Sequence, residues 1–383
     1  MMAFLVLFVL ATLLVFHSYV LFPAHMKRLA QKQPAYPPLE TWPSIEVLMA
    51  AYNEVAVIEA KVHSVLGGQY PADKLLLRVG SDASTDGTDE RLAQLAQLYP
   101  GRLLVQRFEA RTGKPNIINA LATKAQSDLL VITDADALFE PDTLLELVKP
   151  FADAQVGGVQ AHADIRITGD EAVARQEASY TAREMTIKAG EGSWGAVIGG
   201  FGAAYAIRRN LFTPVPKGFI VDDFFSFADL SRQGYRTVFQ ASARTSLGVS
   251  GDQRVQFRRK RRIGKGNFQN LRHFAGLLNP FTAIGYVFWS HKALRWLTPA
   301  LLFVAWLSAG LGADAYGVLQ WAFWGMNAAL LLALTDLALR PLGISSGPLR
   351  FLSHFLLMNL ALLLGFIDSL GSDEQVFWNN APD

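Results

Sequence analysis

Two aspartates one residue apart, Asp134 and Asp136, follow the apolar run Leu129 to Thr133. Side chains alternate along an extended chain, so residues two apart project to the same side. Two carboxylates placed that way repel unless a proton or a cation lies between them. Hard divalent cations such as Mg²⁺ and Mn²⁺ take one or two carboxylates together with phosphate oxygens, so this pair is a candidate metal site. A solvated turn leading into Glu140-Pro141-Asp142 is the plainer alternative. A second cluster, Ser81-Asp-Ala-Ser-Thr-Asp-Gly-Thr88, has the composition of a strand-to-helix turn, with Thr85 or Asp86 capping the helix that follows. Capping leaves Asp82 unexplained; its carboxylate at a strand end could accept hydrogen bonds from a nucleobase or ribose. Arg111-Thr-Gly-Lys114 puts positive charge in a glycine-containing loop before a helix. Lys114 suits contact with a diphosphate, or is a solvated surface lysine. The spacing is not that of a P-loop. The chain has no cysteine, which excludes thiolate catalysis, disulfides and cysteine-ligated zinc.

These residues need a frame. Apolar strands are expected at 45–50, 75–80, 103–107 and 129–133, alternating with helical periodicity at 55–66, 88–98 and 115–125. That alternation predicts an α/β fold, a mostly parallel sheet with helices on both faces. Such sheets bind ligands beyond the carboxyl ends of their strands. Tyr52-Asn53-Glu54, Ser81-Asp82 and Asp134-Ala135-Asp136 all fall at those ends. Further on, a helix is expected from Glu171 to about Lys188, followed by a small-residue segment over 190–206.

The rest of the chain is organised by hydrophobicity. Only 18% of the 383 residues are charged, mean hydropathy is +0.21, and apolar residues collect at the two ends. Residues 2–22 are almost wholly apolar, and about 20 helical residues cross a bilayer core of about 30 Å. With no basic residue before this run and no small-x-small site after it, a retained anchor is expected rather than a cleaved leader. Apolar segments at 293–311, 316–339 and 351–370 predict three further spans. Lys27, Arg28, Lys32, Lys292, Arg295, Arg340 and Arg350 flank them on one side, while the tail carries Asp373, Glu374 and Asp383. This asymmetry predicts a multi-pass inner-membrane protein with both termini outside and its central region in the cytoplasm. The expected parts are a span in 1–24, a proline-rich linker 25–44, a domain 45–273, an aromatic interfacial helix 274–292, three spans in 293–371 and a tail 372–383. A net charge of +2 is too small to argue for a nucleic-acid partner.

Ala50-Ala-Tyr-Asn-Glu54, Ser81 to Thr88, Gly113-Lys114 with Asn119, and Asp134-Ala-Asp136 together resemble glycosyltransferase family 2, in the order and spacing of its nucleotide-binding half. Val221-Asp222-Asp223 followed by Leu230 and Gly234-Tyr235-Arg236 resembles that family's acidic catalytic motif. With one span before and several after, the chain is similar to the membrane-bound branch that includes hyaluronan, cellulose and poly-N-acetylglucosamine synthases. The resemblance covers about 45–270 and implies a GT-A fold. It further implies a nucleotide-sugar donor, favouring UDP, held by Tyr52, Glu54, Asp82 and Lys114. Divalent metal (Mg²⁺ or Mn²⁺) and diphosphate are implied at Asp134 and Asp136, and Asp223 is implied as the base of an inverting transfer. Asp222 beside it would raise the proton affinity of one of the two if both are buried; a helix N-cap pair is compatible with that role.

The stretch 254–273 holds eight Lys or Arg and no Asp or Glu. It could face anionic lipid or form a solvated basic face. The resembled family carries Q-x-x-R-W here, which places Arg259 and Arg262 as diphosphate contacts. Arg259 stands for the Gln, and Ile263 for the aromatic platform, so Trp194 or Phe201 would have to supply the stacking surface for an acceptor. Gly199-Gly-Phe-Gly202 is a candidate acceptor loop, through Gly200, Phe201 and Gly202, or a close-packed turn. Two products stay open: a polysaccharide, and a single sugar added to a lipid-linked acceptor. A polymer channel through four spans would need a tilted arrangement or further subunits. The alternative of another class is a non-enzymatic sensor or transporter subunit, which would tolerate loss of Asp134, Asp136 or Asp223.

Overall fold

The computed structural model describes residues 1–32, 34–166, 171–248, 253–339 and 347–371, and their side chains except those of 171–176 and 253–255. The expected tail 372–383 and the basic flank at Arg340 lie outside the described residues. The chain gathers into two compact units. One holds His25–Asp252 and Gly276–Val287; the other holds Met1–Ala24, Gln253–Ala275 and Phe288–Asp373.

In the first unit the strands are β1 (Ile45–Ala51), β2 (Leu75–Asp82), β3 (Leu103–Phe108), β4 (Leu129–Thr133), β5 (Leu138–Phe139), β6 (Val156–Arg166), β7 (Tyr205–Arg208) and β8 (Arg236–Gly248). They form one sheet in the order β3-β2-β1-β4-β7-β6-β8-β5. The first four are mutually parallel, as expected. The remainder is mixed: β7 runs antiparallel to both β4 and β6, β6 is parallel to β8, and β5 is antiparallel to β8. Apolar patterning shows where strands lie but not their direction, so this half could not be oriented from sequence.

The parallel strands are near-continuous apolar runs because both faces of the sheet are covered. Val47, Met49, Leu129 and Val131 pack under the helices Ile58–Leu66 and Thr88–Leu98. Leu48, Leu130 and Ile132 pack on the other face against Ile117, Ile118 and Leu121 of the helix Lys114–Lys124, with Met185, Phe227 and Leu230. The chain moves outward from β1 through β2 to β3, then returns to place β4 on β1's other side. That reversal opens a crevice at the carboxyl ends of β1 and β4, the usual ligand position in such sheets.

Three helices among the described residues are long and apolar enough to cross a membrane: Met2–Leu29, Gly317–Leu339 and Gly347–Asp368. The first continues past the expected boundary at 24 into the expected linker. It contains a wide turn at His17–Leu21, where His17 Nε2 and Ser290 Oγ lie 2.8 Å apart and Ser18 Oγ donates to the Ser290 carbonyl at 2.8 Å. Where one span at 293–311 was expected, a bent pair, Ala283–Trp296 and Thr298–Gly312, meets at 66°. Pro299, in the first turn of the second helix, lacks an N–H and crowds the preceding turn, which breaks the helix there. Counted as one span, the pair brings the total to four.

The basic helix Gln253–His273 groups with these apolar helices. Arg261 grips Asp368 of the last helix with two parallel bonds, Nε to Oδ2 at 2.6 Å and Nη2 to Oδ1 at 2.7 Å. A side chain at Gly365 would strike the Arg261 carbonyl and the Lys265 nitrogen, so the two backbones touch. Arg259 is exposed and Arg262 half-buried on this helix.

Candidate functional site

Parallel pairing aligns the strand ends: Ala51 is level with Ser81, and Met49 with Thr133. The three polar clusters singled out in the sequence therefore emerge along one edge of the sheet. Asp82, 3% exposed at the end of β2, accepts the Thr112 N–H on Oδ1 at 2.6 Å and the Gly113 N–H on Oδ2 at 3.0 Å. Arg111 Nη1 adds an ion pair at 3.3 Å. Asp82 thus folds the 111–113 loop over the strand ends and sets the helix Lys114–Lys124 on its course. The Arg111 guanidinium lies 3.2 Å above the Tyr52 ring. Glu54 is buried, and its backbone N–H donates to Thr88 Oγ1 at 2.8 Å. The helix after β2 starts at Thr88 with Gly87 at the cap position, and Asp86 accepts from the Thr88 N–H at 3.0 Å and the Val55 N–H at 3.1 Å. Asp86 therefore does the structural work expected of Thr85 or Asp86, and joins the β1 turn to the β2 turn.

Lys114 draws the distant carboxylates together. Its ammonium is 2.6 Å from Asp134 Oδ1 and 3.5 Å from Asp222 Oδ2. Burial works to lower its pKa, but the charges of Asp134 and Asp222, with Tyr205 and Asp223, raise it well above the usual lysine value, so Lys114 stays cationic. Asp222 and Asp223 open the helix Asp222–Arg232, where a helix N-terminus favours negative charge. Asp222 Oδ2 is buried and accepts no hydrogen bond. Withdrawal from water, then the adjacent Asp222 charge, pushes the Asp223 carboxyl up to about 6, against the pull of Lys114. Desolvation beside a like charge is the means by which a carboxylate is poised as a base near neutrality.

The acceptor-loop glycines sit between these carboxylates. The Gly200 N–H donates to the Asp223 carbonyl at 3.0 Å, and the Asp134 N–H donates to the Gly202 carbonyl at 2.9 Å. A methyl group on Gly200 would meet the Asp223 Cβ at 3.2 Å, and one on Gly202 would overlap the Asp134 carboxylate. The loop thus runs against the acidic residues, and a side chain at Gly202 would displace the Asp134 carboxylate. Gly202→Ala is therefore expected to push Asp134 aside and lower the turnover rate about ten- to a hundredfold, as changes to a group orienting a ligand do. Initial rates at saturating donor check this. Phe201 is fixed by its N–H donating to buried Gln160 Oε1 at 2.7 Å. Trp194 is turned elsewhere: its ring packs on His25 at 5.3 Å and Tyr286 at 6.0 Å between centroids. Arg259 and Arg262 belong to the other unit.

Three buried residues absent from the sequence expectations support the cluster. Lys61 donates to Thr133 Oγ1 at 2.8 Å and to the Ala137 carbonyl. Burial lowers its pKa to about 7, against the raising influence of Asp134 and Asp136. Lys188 donates to the Gly199 carbonyl, and Gln160 holds the same loop. Lys61 had a visible signal: Ile58, Lys61, Val62 and Val65 share the spacing of one helix face, which puts a lysine on the apolar side.

Asp134 and Asp136 at a tight turn, with Asp222 Oδ2, which accepts no hydrogen bond and pairs only with Lys114, are hard oxygen donors of the kind that suit Mg²⁺ or Mn²⁺. Among the described residues no group of three or more His, Cys, Asp or Glu forms a complete cage. A donor set of this size matches ions that keep water and phosphate oxygens as further ligands.

Known proteins give the same picture. A mannosyltransferase from Pyrobaculum calidifontis, solved in complex with GDP-Man and Mn²⁺, superposes with a TM-score of 0.71 at 24% identity, over 95% of this chain and 99% of that one, and shares its fold. A beta-monoglucosyldiacylglycerol synthase from Synechocystis is 32% identical over 166 residues, 42% of this chain and 33% of that protein. A poly-beta-1,6-N-acetyl-D-glucosamine synthase from Staphylococcus epidermidis is 25% identical over 123 residues, 32% of this chain and 29% of that protein. These matches span only about a third of either relative's length. The family described as glycosyltransferase like family 2 matches residues 43–265, more than half of the chain. On that match, and on a GT-A fold whose acidic residues converge at one sheet edge, the chain belongs to the family 2-like glycosyltransferases.

Proposed function

We propose that this protein catalyses inverting transfer of a sugar from a nucleotide-sugar donor to an acceptor at the cytoplasmic face of the inner membrane. The observation that carries the reading is the Lys114 bridge, which joins Asp134 at the end of β4 to the Asp222-Asp223 pair. In this reading Tyr52, Glu54 and Asp82 receive the nucleoside, while Lys114 faces the diphosphate. Asp134 and Asp136 would hold a divalent ion, which when bound supplies Lewis-acid stabilisation of the leaving diphosphate. Asp223 takes the proton from the acceptor hydroxyl as that oxygen attacks the anomeric carbon. Gly200, Phe201 and Gly202 shape the acceptor side.

Screening nucleotide sugars for diphosphate release by the detergent-solubilised chain, with and without Mn²⁺, tests this directly. EDTA is expected to stop release and added Mn²⁺ to restore it; full activity in EDTA would remove the metal from the reading. The screen also chooses between UDP and GDP donors. The competing products separate by size, since a ladder indicates a polysaccharide and one addition a lipid-linked acceptor.

A further inference from the structure

The buried lysine beneath the Asp134-Ala-Asp136 turn has no part in the reaction just described, yet its two hydrogen bonds bracket that turn. Lys61 lies on the helix Ile58–Leu66 and is fully buried. Its ammonium donates to the Thr133 hydroxyl at 2.8 Å, one residue before Asp134, and to the carbonyl of Ala137, one residue after Asp136. It also sits 3.8 Å over the Phe139 ring. The Thr133 hydroxyl passes its own proton to the Ala203 carbonyl at 2.5 Å, next to Gly202. One ammonium thus fastens both ends of the acidic turn and, through Thr133, the loop packed against Asp134.

We infer that Lys61 is a positioning residue for the metal-binding turn: it fixes the separation of Asp134 and Asp136 by holding Thr133 and Ala137 from below. The inference rests on the proposed metal role of the two aspartates. Charge and position pull in opposite directions, which makes the claim sharp. Whatever positive charge Lys61 carries behind two carboxylates opposes the binding of a second cation, so removing that charge alone would tighten the metal. Losing the clamp frees the turn and leaves the Ala137 carbonyl buried without a donor, which loosens it. Groups that orient ligands from behind typically govern about ten- to a hundredfold in metal affinity. Lys61→Met, which keeps the length of the side chain without its donors, is expected to weaken binding by that factor.

The test is Mn²⁺ titrated into the full-length protein in detergent with saturating GDP or, separately, UDP, with free Mn²⁺ read by electron paramagnetic resonance. Melting temperatures are recorded alongside. Val62→Ala serves as control: Val62 is a neighbouring buried residue on the same helix whose truncation lowers the melting temperature without touching the turn. The expected result is a Mn²⁺ dissociation constant raised about ten- to a hundredfold in Lys61→Met and unchanged in Val62→Ala. Thr133→Val, which removes one arm of the clamp, should shift it in the same direction and tests the claim if Lys61→Met does not fold. Unchanged or tighter binding in these two clamp variants would overturn the inference, as would equal weakening in Val62→Ala. No Mn²⁺ binding by the parent chain would instead strike the metal reading on which it rests, and the inference with it.

Discussion

Asp223→Asn should lower the rate of sugar transfer by about 10²–10⁴-fold, the range that a positioned base contributes, while leaving the melting temperature unchanged or slightly raised. The side chain keeps its shape, and its Oδ1 can still accept the Phe224 N–H now held at 2.7 Å. The substitution also removes one of two adjacent carboxylates; burial first, and then their repulsion, pushes the Asp223 carboxyl up to about 6. In the parent protein the base works only when deprotonated. Because burial and Asp222 raise its pKa, activity should fall as pH drops through about 6 and be fully present above it. Transfer rates with purified donor across pH 5 to 8, for parent and variant, check both statements. An Asn variant that turns over normally would remove the base assignment.

The second large effect is expected at Lys114. Lys114→Met should lower kcat/KM about 10²–10³-fold, the cost of deleting one group that stabilises developing charge in a site shielded from water. It should also move the acid limb of the pH profile, and the sign follows from the electrostatics. The Lys114 charge lowers the proton affinity of Asp223, so its removal leaves Asp134, Asp222 and Asp223 facing one another with the smaller influence of Lys188 against them. The Asp223 pKa then rises further, and activity appears only at higher pH than in the parent. A rate loss with an unmoved midpoint would show that Lys114 acts on the diphosphate alone.

Much of this site was legible beforehand because its signals are local. Each of β1, β2 and β4 is a short apolar run that stops at a polar cluster, so strand ends and candidate residues come as one pattern. Asp82 was marked because capping did not explain it, and the structure gives it two backbone N–H groups and a guanidinium. What stayed hidden depends on contacts between distant segments. Lys114 meeting Asp222 joins residues 108 positions apart, and no local spacing encodes that. Gln160 and Lys188 matter only because a glycine loop folds back onto them. Trp194 was selected for its chemical type, but its packing against His25 and Tyr286 is a tertiary outcome. The break before Pro299 was readable, since the residue that causes it stands in the sequence; apolar content, taken alone, passed over it.

The make-up of the apolar-helix unit, from three stretches of chain with the sheet unit's residues between them, constrains how the protein is made. The opening helix leaves the ribosome long before Ser290, the residue its His17 and Ser18 will bond, has been translated. At about 5–20 residues per second, that interval lasts many seconds. During it the helix has neither of those bonds to hold it. The intervening α/β body has time to assemble around its own core before the later helices arrive. The two bonds between Arg261 and Asp368 are among the last to form, since Asp368 ends the last of the described helices.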